Sequence, residues 1–149
     1  MSVIFCLCSS PLALKKVHKL SEKQTVWVAT SARASRFQWK DCEELVLTKG
    51  WLGGAKVRGS IDVSQVAKLL HKNGATADTL QIFLALNENL EEREALGRKF
   101  GVHNIVVDVL VLNRDRIGLE NYKAKLVPQS REWFYAENAL NVSNTKWKN

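Results

Sequence analysis

The chain predicts a single-domain α/β fold, a mostly parallel sheet of about four to five strands with helices on both faces, with α+β as the alternative. Three observations predict it. Four apolar runs, Val3–Cys8, Thr25–Thr30, Leu80–Leu86 and Asn104–Leu112, have strand length, and two of them are rich in β-branched residues. Segments of helical spacing alternate with these runs. A chain of 149 residues with only two prolines leaves room for one core and little linker.

Val3–Cys8 reads as the first strand, and Ser9-Ser10-Pro11 then starts a helix, with a serine cap and proline in the first turn. Leu12, Val17 and Leu20 give that helix a partial apolar face among Lys15, Lys16, Lys19 and Lys23. Thr25–Thr30 follows as a second strand, so the chain opens β-α-β. Glu44–Thr48 is a short strand, and glycines 50, 53, 54 and 59 mark a loop or hairpin after it. Val63, Val66, Ala67, Leu69 and Leu70 define a helix over Val63–Lys72, stopped by Asn73-Gly74.

The length of Leu80–Leu86 and the turn at Asn87–Asn89 favour a strand. Asn89 and Glu92 have capping-box spacing ahead of a helix over Leu90–Phe100 that Gly101 closes. Asn104–Leu112 reads as the central strand, covered on both faces. A last helix over Arg131–Leu140 starts behind Ser130. The domain spans 1–142, with a basic half (1–60) and a near-neutral half (61–142), and 143–149 forms a polar, flexible tail.

An apolar share of 46% with 25% charged residues is that of a globular protein rather than a disordered one. Val3–Leu14 lacks the positive start and cleavage site of a secretory signal and is shorter than the roughly 20 residues a bilayer requires. No membrane partner is expected on that ground. The cysteines, Cys6, Cys8 and Cys42, are odd in number and have no paired spacing for zinc. They read as small buried hydrophobes in a reducing, cytoplasmic setting. No metal and no cofactor is expected.

The net charge of +7 is uneven: residues 1–60 hold ten Lys and Arg against four Asp and Glu. They also hold three of the five tryptophans, so cations and flat apolar rings coincide. That pairing suits single-stranded nucleic acid, whose phosphates need cations and whose bases stack on rings. The leading expectation is therefore a nucleic-acid-binding accessory protein. Arg33, Arg36, Lys40, Lys49, Lys56 and Arg58 would meet phosphates, and Trp39 and Trp51 would stack.

A second reading is a small enzyme or sensor for a nucleotide or other phosphorylated ligand at the carboxyl ends of the strands. Ser9, Ser10, Ser31, Arg33, Arg36 and Arg114 would hold the phosphate there, and Ser10, Asp115 and Arg116 are the candidates for chemistry. A third is an interaction module or inhibitor that docks its basic face on an acidic protein. Gly53-Gly54-Ala55-Lys56 lacks the ending of a phosphate loop, and Val66–Leu80 lacks the turn glycine of a helix-turn-helix. His18, His71 and His103 have no metal-ligand spacing. Asp108, the one charge within Asn104–Leu112, requires a cationic partner, an edge position or a raised pKa.

Overall fold

Three of the four apolar runs that read as strands, Thr25–Thr30, Leu80–Leu86 and Asn104–Leu112, lie wholly or largely in helices. The computed structural model describes residues 20–142 and 144–148, and among them are eight helices and one two-stranded antiparallel sheet. This corrects the predicted parallel sheet of four to five strands. Val3–Cys8, Ser9, Ser10 and the helix expected at Pro11 lie outside the described residues. The chain divides into two units, Met1–Thr76 and Ala77–Asn149.

In the first unit, Thr25–Thr30 belongs to α1, Glu22–Ala34. A capping box overrides the β-branched composition. The Ser21 hydroxyl accepts from the Gln24 amide at 3.2 Å, and the Gln24 side chain accepts from the Ser21 amide at 2.9 Å. Thr25 and Thr30 donate their hydroxyls to the carbonyls of Ser21 and Val26, one turn back. Helix α2, Trp39–Val46, packs on α1 and takes most of the segment read as a strand at Glu44–Thr48. The chain then forms β1, Leu47–Lys49, and β2, Ala55–Val57, paired Leu47↔Val57, Thr48↔Lys56 and Lys49↔Ala55. Helix α3, Val63–Lys72, follows behind an Asp62 cap that accepts from Ser64 and Gln65 amides.

The second unit holds α4 (Ala77–Leu84), α5 (Leu90–Phe100), α6 (His103–Leu112), α7 (Arg116–Lys123) and α8 (Arg131–Asn141). The expected caps are present. Asn89 accepts from the Glu92 amide at 3.1 Å, Ser130 from the Trp133 amide at 3.1 Å, and Gly101 ends α5 at φ +69°. Helix α6 is the segment that read as the central strand. Ile105, Val106, Val107, Val109 and Leu110 are buried around most of its girth because α5, α7 and α8 all pack on it. That burial outweighs the weak helix propensity of valine and isoleucine.

Gly97 of α5 sits where a Cβ would lie 3.0 Å from Ile105 Cγ2 and 3.1 Å from Val106 Cγ2, so α5 and α6 approach closely. Below α6, Leu119, Tyr122, Leu126, Ala136 and Leu140 complete a core on which Trp133 and Trp147 pack. The segment expected to be a flexible tail is anchored in part: the Lys148 amide donates to the Arg114 carbonyl at 3.0 Å.

Asp108 meets a hydroxyl rather than a cation, as Tyr135 Oη donates to its carboxylate at 2.7 Å. Burial, then the bond to Asp108, pushes the Tyr135 phenol up to about 12. The folded state thus favours the neutral phenol. Its stabilising contribution is complete below the unfolded pKa near 10 and is lost as pH rises toward 12. Tyr135→Phe is expected to destabilise the protein at pH 8 and to narrow that deficit at pH 11, read by urea unfolding of both proteins at each pH.

Candidate binding hairpin

The turn between β1 and β2 is made by glycine. The Gly50 amide donates to the Gly54 carbonyl at 2.6 Å, and a Cβ on Gly50 would lie 2.9 Å from that oxygen. The Gly53 amide donates back to the Gly50 carbonyl at 3.0 Å, and Gly53 has φ +83°. A three-residue hairpin loop commonly closes this way, with a left-handed glycine at its end. Trp51 and Leu52 therefore occupy the two corners of the turn. They are 98% and 91% exposed, against 68% for Phe37.

Cations flank this tip. Alternation along the strands puts Lys49 on the face of Leu47 and Lys56 on the opposite face. Both are exposed, as is Arg58, whose backbone amide donates to the Val46 carbonyl at 2.7 Å. The Arg58 guanidinium also donates to the Glu44 carbonyl at 3.3 Å, which aligns it with the ribbon. No aspartate or glutamate falls between Leu45 and Ile61. Of the eight residues expected to contact nucleic acid, Lys49, Trp51, Lys56 and Arg58 belong to this one ribbon.

The other four lie around the α1–α2 turn. Arg33 is held by its own unit: its guanidinium donates to Gln38 at 3.1 Å and lies 3.5 Å from the Asp41 carboxylate. Trp39 is half-buried at the start of α2, with the Phe37 ring edge-on at 5.9 Å. Arg36 and Lys40 are exposed. Cys42, beneath them, is fully buried and its thiol donates to the Thr30 carbonyl. Burial, then the neighbouring Asp41 carboxylate, pushes that thiol up to about 11, so it stays protonated at neutral pH.

The phosphate rim expected at strand ends loses its premise, since the runs at Thr25–Thr30, Leu80–Leu84 and Asn104–Leu112 are helical, while Ser9 and Ser10 lie outside the described residues. Ser31 is half-buried on α1. Arg114 is exposed in the α6–α7 turn, at φ +59°. Asp115 caps α7, accepting from the Gly118 amide at 2.8 Å. Arg116 pairs with Glu120 at 2.9 Å and lies 6.0 Å over the Trp147 ring. Among the described residues no group of three or more His, Cys, Asp or Glu could hold a metal, and no helix is long and apolar enough to cross a membrane.

An apolar groove of about 470 Å³ runs beside α1 and α3, walled by Val26, Trp27, Ile61 and Val66. Its carboxylate, Asp62, serves as the α3 cap. Leu52 is the residue of the hairpin site that the cation-and-ring reading passed over. Its signal was the glycine pattern Gly50-x-x-Gly53-Gly54, which frames two apolar residues at a turn rather than in a core.

The chain is similar to proteins named spermatogenesis-defective protein 39 homolog. It is 38% identical to the Bos taurus protein and 34% to that of Danio rerio, each over 141 residues, 95% of this chain and 29% of the relative. It is 29% identical over 132 residues to spermatogenesis-defective protein 39 of Caenorhabditis elegans, 89% of this chain and 24% of the relative. The chain thus spans under a third of the length of these relatives. No family model and no solved structure matches it.

Proposed function

We propose that this chain is a docking module that engages a polyanionic partner through the β1–β2 hairpin. One observation carries the reading: a fully exposed Trp51 at the end of a ribbon that bears Lys49, Lys56 and Arg58 and no carboxylate. Cations on both faces attract phosphates from either side, and the ring offers a surface for stacking. Nucleic acid, the partner expected from the sequence, is the first probe of that reading.

The test is binding of a labelled single-stranded DNA across a salt series. If Lys49, Lys56 and Arg58 each neutralise a phosphate, log affinity falls with log salt at a slope of about −2, about 20-fold between 50 and 200 mM. A flat salt response, or no binding at low salt to this strand or to any other polyanion, would count against a hairpin that works by charge.

A further inference from the structure

We propose that the polyanionic partner of the hairpin is the surface of an anionic lipid bilayer, into which Trp51 and Leu52 insert at headgroup depth. The inference rests on the docking reading above and names its partner. Its source is Leu52. A single strand that binds by stacking uses the flat face of Trp51 and gains little from Leu52, an aliphatic side chain that is 91% exposed at the adjacent corner of the same turn, whereas an acyl boundary gains from both.

A bilayer interface accepts both residues. Indole rings settle at headgroup level, and a leucine beside one reaches the acyl boundary. The dimensions agree. The tip lies about two residues beyond the Lys49–Ala55 pair, about 7 Å along the ribbon, and interfacial side chains sit about 5–10 Å deep. With the tip inserted, Lys49 and Lys56 fall at the level of the headgroups, one on each face, with Arg58 behind them. Such juxtamembrane cations favour leaflets that carry anionic lipid. Gly50, Gly53 and Gly54 add no side-chain bulk around the wedge. The expectation that no membrane is involved rested on the lack of secretory-signal features and of spanning length, neither of which an interfacial tip requires.

The test is co-sedimentation of the chain with vesicles of phosphatidylcholine alone and of phosphatidylcholine with phosphatidylserine, beside the single-stranded DNA assay. The expected result is binding to the phosphatidylserine vesicles only, reduced at least about tenfold in Trp51→Ala/Leu52→Ala. Leu52→Ala alone should weaken vesicle binding and leave DNA binding unchanged. Vesicle binding that survives the double substitution overturns the insertion. If vesicles are not bound but DNA is, with a steep salt slope, the bilayer inference fails and the docking reading stands. If neither probe is bound, both fail.

Discussion

Replacing Phe83 with alanine is expected to cost about 3–5 kcal/mol, the largest stability loss of any single change considered. Phe83 is fully buried in α4, on one face with Leu80 and Leu84. That face follows from helical spacing, since Phe83 and Leu84 lie three and four residues after Leu80. Ile82, next to it in sequence, is 38% exposed. In a strand, Phe83 and Ile82 would point to opposite faces of a sheet covered on both sides, and truncating either would cost a similar amount. In the helix, Ile82→Ala should cost less, about 1–2 kcal/mol, since over a third of the residue stays in water and its truncation leaves no enclosed cavity. Urea unfolding of the two variants therefore separates the helical fold from the strand expectation. A domain stability of about 5–15 kcal/mol leaves the Phe83 variant near its limit.

The second large effect concerns binding. Lys49→Glu/Lys56→Glu replaces one cation on each face of the ribbon by an anion and lowers the net charge from +7 to +3. Both positions are exposed and lie at a two-stranded edge, so the fold should tolerate the change. Binding to single-stranded DNA or to anionic vesicles should fall by about 100-fold at low salt, because two attractions become repulsions. Arg33→Ala and Trp39→Ala serve as controls. Arg33 is occupied by Asp41 and Gln38, and Trp39 is half-buried beside Phe37. Removing them should alter affinity by less than about threefold.

These contrasts mark what residue patterns could and could not reveal. Val63–Lys72 and Leu90–Phe100 were legible because each combines a one-sided apolar face with a cap and a stop. Asn104–Leu112 and Leu80–Leu86 were not, because runs that are apolar at nearly every position carry little period. Their helical state is decided by neighbours: α6 is surrounded by α5, α7 and α8. Thr25–Thr30 was legible in principle, since Ser21-x-x-Gln24 is a capping box, but the β-branched run drew the reading to a strand.

The site followed the same logic. Lys49, Trp51, Lys56 and Arg58 were visible as cations interleaved with rings and glycines. What a linear reading cannot show is which basic residues are already engaged within the fold. The pairing of Arg33 with Asp41, eight positions away, depends on the turn between α1 and α2. Asp115 and Arg116 read as chemistry because they followed a supposed strand, whereas they begin a helix.

The central claim is that the tip of the hairpin, and not the basic half at large, makes the contact. The most direct measurement replaces Gly50–Gly54 by Asn-Gly, which joins β1 and β2 through a tight turn and deletes Trp51 and Leu52 while keeping every lysine and arginine. Thermal unfolding should be unchanged within a few degrees, and binding to anionic vesicles and to single-stranded DNA should be lost at physiological salt. Full binding by this shortened protein would contradict the account and return the contact to the remaining cations of residues 1–60.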